Sequence, residues 1–195
     1  MSSPANAPVR QFSTPVTAAQ GRILDAALDL IAIHGVTGTS YQMIADAIGI
    51  TKAGVYRQYK AKDDLVIALI EKQLGQLEDA LIVAELSEGL PRARSMLLST
   101  VVDVAVAERQ RASTLQFDPV VARLLAEHPP FQRFNERLYC VLVGNSSEEG
   151  QLVAAMLSGA VAVAVTHPLS TQMDDDALRA LLLKQARAFI NLDVS

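Results

Sequence analysis

The segment from Ile44 to Thr51 constrains this chain more than any other. Ile44, Ala45 and Ile48 share one helical face, Gly49 can adopt a left-handed turn without a Cβ penalty, and Thr51 is placed to cap a new helix at once. This new helix, Lys52 to about Gln58, is too short to be stable alone and needs Val55 packed against its neighbours. Upstream, Thr17-Ala-Ala-Gln20 has capping-box spacing, and Ile23, Leu24, Ala27, Leu28 and Ile31 line one face of a first helix that Gly35 is expected to stop. Thr39-Ser-Tyr-Gln42 has the same spacing and is expected to open the second helix. The pattern predicts a helix-turn-helix.

A fourth helix is expected from Ala61 or Asp63 through Leu65, Leu69 and Leu77 to near Glu85. The run Ser87-Glu-Gly-Leu-Pro91 then punctuates the chain, the strongest break in its pattern. Beyond it the periodicity stays helical over Pro91 to about Gln110, Asp118 to His128, Pro129 to Gly144, Glu148 to Thr166 and Asp174 to Leu192. The expected fold class is all-α, about nine helices without a sheet.

Composition narrows the setting. The 195 residues are 50% hydrophobic and 19% charged, which excludes disorder as the main state. One cysteine, Cys140, cannot form an intramolecular disulfide, and three scattered histidines offer no zinc cluster. A reducing, cytoplasmic setting is the expectation. The most apolar window, Leu152 to Val165, is 14 residues long and interrupted by Ser158 and Gly159, against roughly 20 for a bilayer, so no membrane span is expected. Met1 to Val16 has one basic residue and no apolar core, unlike a signal or transit peptide, and reads as a loose, flexible tail.

The net charge of −4 argues against a generally basic surface. Its distribution is uneven: Thr51 to Lys62 holds four bases and no acid. Such a patch suits one local anionic contact, or is a solvated face.

Arg22-Ile-Leu-Asp-Ala-Ala-Leu-Asp-Leu-Ile-Ala-Ile-His-Gly35, Ile44-Ala-Asp-Ala-Ile-Gly-Ile-Thr51, and Ala53-Gly-Val-Tyr-Arg-Gln-Tyr-Lys-Ala-Lys62 with Leu65 together resemble the DNA-binding domain of the TetR family of transcriptional regulators. The likeness covers about a quarter of the chain, with Tyr59 where phenylalanine is commoner and Gln58 where histidine or tyrosine is often found. It implies a DNA-binding domain over 17–64 after the tail of 1–16, and an effector-binding and dimerisation domain over 65–195. It further implies a homodimer, formed through the last two helices, that binds a roughly palindromic double-stranded DNA operator and answers to a small molecule of unknown identity.

A helix-turn-helix sets the first residues of its second helix against base edges in the major groove. Here these are Thr51, Lys52, Ala53 and Gly54. Lys52 can donate to guanine, and the small Ala53 and Gly54 permit close approach. Tyr41, Tyr56, Tyr59 and Lys62 match family positions that contact phosphates, and Gln42 and Arg57 complete the candidate DNA-binding set. Packing between helices is the alternative for Tyr56 and the favoured reading for Tyr59, and plain surface charge is the alternative for Arg57.

The C-terminal half is less explicit. On the helix after Pro91, Arg92, Ser95, Ser99, Asp103 and Gln110 form a polar stripe, opposite an apolar face containing Ala93, Met96, Leu97, Thr100, Val104 and Ala107. Met96 and Thr100, with Phe117, Phe131, Phe134, Tyr139 and Met156, are candidates for an apolar effector site, ordinary core being the alternative for each. Ala155, Gly159 and Ala162 form a small-residue face, and Leu178, Leu181, Leu182 and Phe189 an apolar seam, which across a two-fold axis would give a four-helix dimer interface. Cys140 reads as a small buried hydrophobe and His128 as a helix-end residue. No catalytic constellation, metal-ligand pair or cofactor-binding loop is visible, so an enzyme is not expected.

These readings converge on a ligand-responsive repressor. A DNA-binding regulator controlled by a partner, or acting as an activator, remains open, as does a helical carrier or enzyme that lost DNA binding.

Overall fold

The computed structural model describes residues 9–12, 16–87, 90–109 and 118–191. Among the described residues there are nine α-helices and no strand: α1 (Ala18–Gly38), α2 (Tyr41–Ile48), α3 (Lys52–Gln58), α4 (Lys62–Glu85), α5 (Leu90–Ala107), α6 (Pro119–Glu127), α7 (Pro129–Val143), α8 (Glu148–Thr166) and α9 (Asp175–Asn191). A 3-10 turn, Ser170–Gln172, precedes α9. The expected all-α class is the one found.

The caps explain most boundaries. Gln20 N–H donates to Thr17 Oγ1 (3.2 Å) and Thr17 N–H to Gln20 Oε1 (3.1 Å), the expected reciprocal box. Gly35 breaks the regular helix where the stop is expected, at φ 70° and ψ 170°, a conformation only glycine adopts without strain, and a further short turn runs on from it to Gly38. At the kink Thr39 N–H shifts to Val36 O (3.3 Å), leaving the Gly35 carbonyl to the Thr39 hydroxyl, which donates to it at 2.9 Å. Thr39 is therefore buried, and the cap expected of it passes to Ser40, whose Oγ accepts from Met43 N–H at 3.2 Å.

The chain divides into two compact units. The first comprises Thr14–Gln73 and Glu108–His128, and the second Met1–Ser13, Leu74–Ala107 and Pro129–Ser195. The boundary thus falls inside α4, neither at the expected 64/65 junction nor at the Gly/Pro break that follows this helix. Residues 108–128, expected in the C-terminal domain, belong to the first unit for a visible reason. Asp118 caps α6 by accepting from Val120 N–H (2.9 Å) and also accepts from Val36 N–H (2.8 Å), just past the α1 kink. Arg123 of α6 pairs with Asp63 of α4 at 2.8 Å, and Val121 and Leu124 are buried.

In the second unit α5 packs against α7, α8 and α9. Its inward face is Ala93, Leu97, Leu98, Val102 and Val106, about one position on from the expected set, because three neighbours demand a wide buried face; Met96 is exposed and Thr100 half-buried. Val102 and Val106 form a core cluster with Val165, Leu178 and Leu182. By length and composition alone α8 could cross a bilayer, being 19 residues with mean hydropathy 1.4, longer than the apolar window read from sequence. Its Ala154, Leu157, Val161, Ala162 and Val165 are buried in this unit, so one face of the helix packs within the chain.

The expected loose tail is held in part. Phe12 is buried, its ring 5.4 Å from Phe131 and 5.2 Å from Phe134, centroid to centroid. Cys140, expected to be buried, is exposed on α7.

Asp118→Ala should lower stability by about 1–3 kcal/mol, since it removes a cap and leaves Val36 N–H without its acceptor. Urea unfolding followed by circular dichroism measures this, with Asp118→Asn expected to recover part of the loss.

Candidate nucleic-acid interface

Seven residues make α3, and its fixed position depends on its two ends and one buried side chain. Gly49, at φ 69°, closes α2 in the left-handed region, and Ile50 N–H donates to Ala45 O at 3.0 Å. Thr51 Oγ1 then accepts from Gly54 N–H at 3.1 Å, the expected cap. Val55 is buried, and Tyr59 N–H closes the helix on Val55 O at 3.0 Å.

Thr51, Lys52, Ala53, Tyr56 and Arg57 are exposed, with Gly54 half-buried at the same end of the helix. Lys52 and Arg57 have no acidic partner among the described residues, so the patch keeps its charge. Lys60 Nζ lies 5.3 Å from the centroid of the Tyr56 ring, and Tyr56 meets Tyr41 edge-on at 6.3 Å. With 52% of its surface exposed, Tyr56 is available to a phosphate.

The structure separates the other candidates. Tyr59 is only 6% exposed and takes its packing reading; burial pushes its phenol pKa up. Lys62 is half-buried, and its Nζ donates to Thr37 O at 3.1 Å, so it caps the end of α1. Gln42 is exposed, its amide nitrogen 2.7 Å from Asp46 Oδ1. Tyr41 donates its hydroxyl to Ala61 O at 2.6 Å. Burial first, then the nearby Asp64 carboxylate and the Tyr56 and Tyr59 phenols, push its pKa up to about 12. Sequence reasoning missed Arg22, whose Nη2 donates to Ile48 O at 3.0 Å and so holds the end of α2.

The C-terminal candidates do not form one site. Phe131 and Phe134 are fully buried around Phe12. Tyr139 is half-buried, bonded to Ser158, and its pKa is raised by burial. Met156 faces outward at 56% exposure, and Phe117 lies outside the described residues. A cleft of about 220 Å³ in this unit is lined instead by Pro91, Arg94, Ser95, Leu98, Arg187 and Ile190. Among the described residues no group of three or more histidine, cysteine or acidic side chains could hold a metal ion.

The dimer candidates divide as well. Ala162, Leu178 and Leu182 are buried within the chain, the two leucines in the core cluster with Val102 and Val165. Ala155, Gly159 and Leu181 are exposed, and Phe189 is half-buried. Leu152, Met156 and Val163 extend the exposed row along α8, a continuation hidden in sequence because every face of that helix is apolar.

Tyr41→Phe tests the Tyr41 geometry. A raised folded-state pKa means that its stabilising contribution is complete below pH 10 and is lost as pH rises through about 12. A phenolate absorbance titration should show a late-ionising tyrosine that disappears in the variant, together with a shallower loss of stability over that range.

Residues 23–69 match the family profile described as bacterial regulatory proteins, tetR family. Over 92 residues the chain is 34% identical to the HTH-type transcriptional regulator AcrR of Shigella flexneri. That match takes in 46% of this chain and 43% of the relative, so it spans less than half of either. Solved structures extend the likeness in fold. The fatty acid degradation regulator FadR from Bacillus halodurans has a TM-score of 0.68 at 19% identity, over 91% of this chain and 97% of its own. A TetR-like transcriptional regulator from Rhodococcus sp. RHA1 has a TM-score of 0.63 at 22% identity, over 89% and 96%. A regulator of the TerR/AcrR family from Aquifex aeolicus has 0.67 at 16%, over 88% and 99%. The fold similarity runs along nearly the whole chain, and the sequence match coincides with the helix-turn-helix built above. Over residues 23–69 the chain carries a domain of the kind found in bacterial regulatory proteins of the tetR family, and the remainder shares the all-helical fold of the solved regulators.

Proposed function

We propose that this protein is a dimeric transcriptional repressor, cytoplasmic, that occupies a palindromic operator and is released from it by a small, largely apolar effector. The observation that carries the reading is α3 itself. A helix held on its inner side by Val55 presents Lys52, Ala53, Tyr56 and Arg57 outward, with no acid among them. Such a helix fits the major groove, where Lys52 donates to guanine and Ala53 meets a thymine methyl, while Tyr56 and Arg57 reach phosphates. Tyr59 and Lys62 support this edge from within, by packing and by holding the end of α1.

The exposed row Leu152, Ala155, Met156, Gly159 and Val163 supports the dimer, because a helix with small residues at its centre admits a second helix closely. Two-fold pairing of recognition helices then calls for half-sites roughly 34–36 Å apart. An effector that binds the DNA-incompetent arrangement better shifts the population toward it, and operator and effector weaken each other reciprocally. Control without a small molecule is the second reading, favoured by the complete burial of Phe131 and Phe134, two of the side chains expected to line an effector site.

Selection of bound duplexes from a random DNA pool tests the first reading, which expects an enriched inverted repeat; failure to enrich any sequence with folded protein would overturn it. On the enriched site Lys52→Ala should relax preference at one base position, at a cost of about 1–3 kcal/mol there. Arg57→Ala should weaken binding on all sequences and reduce the salt slope by about one. Met156→Glu places an unpaired carboxylate on each side of the two-fold contact and should weaken dimerisation by about 100-fold or more, read by sedimentation velocity.

A further inference from the structure

Glu78 is the most deeply buried charged side chain described, with 0% of its surface exposed, and the DNA-binding reading makes no use of it. Burial of a carboxylate needs donors, and two of these are backbone amides 66 and 67 residues away. Gln11 N–H donates to Oε1 at 2.5 Å and Phe12 N–H to Oε2 at 2.7 Å, while Arg137 Nη1 stands 3.5 Å from Oε1. The rest of the segment is held as closely. Arg137 Nη1 donates to Val9 O (2.9 Å), Arg133 Nε donates to Gln11 Oε1 (2.7 Å), and Arg10 pairs with Asp79. Arg137 is itself fixed by a two-pronged pairing with Glu85, at 2.8 and 2.6 Å. Above Glu78 the Phe12 ring lies tilted against Phe131 and Phe134.

All of these residues belong to the second unit, and the geometry is that of a receptor with a bound tetrapeptide. A carboxylate floor takes two adjacent N–H groups, an arginine takes the Val9 carbonyl two residues before them, and an aromatic slot takes the side chain. We infer that the slot formed by Glu78, Arg137, Phe131 and Phe134 is a ligand site which the chain's own residues Val9–Phe12 occupy. Its ligands are peptide-like amides that carry an aromatic ring beside two neighbouring N–H donors, and such a ligand and the arm exclude one another. The inference goes beyond the effector reading above and does not rest on it, because the assay reads arm and ligand without DNA. Loss of effector-dependent operator release would therefore leave it standing.

The arm competes as a tethered ligand, at an effective concentration of the order of millimolar for a short linker. Removing its ring should open the slot to an added copy. The probe is a fluorescent tetrapeptide amide of sequence Val-Arg-Gln-Phe, tested by anisotropy against the full chain and its Phe12→Ala variant. Binding to the variant is expected to be at least about tenfold tighter than to the unaltered chain. A probe with alanine in place of phenylalanine should not bind, and Glu78→Gln in the Phe12→Ala background should weaken binding by leaving a single acceptor oxygen. Hydrogen exchange gives a second measurement that needs no ligand. The Gln11 and Phe12 amides should be protected in the unaltered chain and exchange at least about tenfold faster in Phe12→Ala, while the amides of Leu138 and Leu142 in α7 keep their protection. Equal probe binding to both chains, binding of the ring-less probe, or unprotected Gln11 and Phe12 amides in the unaltered chain would each overturn the assignment.

Discussion

A seven-residue helix does not hold itself in water, so the reading edge of this protein depends on the contacts that fix α3. Its apolar anchor is Val55, seated in a unit whose buried set includes Ile23, Leu24 and Ile44. Its ends are held by backbone chemistry: the left-handed Gly49, the Thr51 cap, and Tyr59 N–H on Val55 O. A further set of bonds braces the helices on either side. Arg22 takes the Ile48 carbonyl and Lys62 the Thr37 carbonyl, both at helix ends, while Tyr41 takes the Ala61 carbonyl, which also accepts from Leu65 N–H at 3.3 Å.

Two carboxylates solve the same problem over longer distances. Asp118 and Glu78 each accept two backbone N–H groups, and in each case at least one lies far away in the chain. A carboxylate suits this role because its two oxygens can serve two donors at once, and charge-assisted bonds are stronger than neutral ones. Asp118 brings α6 to the kink of α1, and Glu78 brings the segment before α1 to the lower half of α4. Both bonds place sequence in a unit to which chain order does not assign it. The kink at Gly35 is part of the same design, since it frees the Val36 amide from the helix and points the Thr39 hydroxyl inward.

The first unit was legible where structure follows from local chemistry. The Thr17 and Thr51 caps, the Gly49 turn and the inward row from Ile23 to Ile31 each depend on residues within four positions of one another, and each stands where the spacing put it. Thr39 was misread for want of one non-local fact. A threonine and a serine side by side are both competent caps, and only the kink decides which hydroxyl turns inward. The C-terminal residues were harder for a different reason. On α8 nearly every position is apolar, so periodicity carries no information about which face meets the core and which meets solvent. Met156 and Ala162 consequently changed places between the expected pocket, core and outer face. Phe131 and Phe134 stand out in sequence as bulky apolar side chains, but their neighbour Phe12 lies in a segment with no periodicity at all.

What the sequence by itself determined was the all-helical class, the order of the helices and the residues offered at the start of α3. All three are set by propensity, capping and hydrophobic spacing along a short stretch of chain. The tertiary structure alone decided that Tyr59 packs while Tyr56 stays exposed, that Lys62 serves a helix end, that residues 118–128 return to the first unit, and that a phenylalanine from the presumed tail fills an aromatic slot over Glu78. Each of these depends on a partner far away in sequence, and the energy of a buried polar or aromatic contact belongs to the pair, which no local pattern can specify.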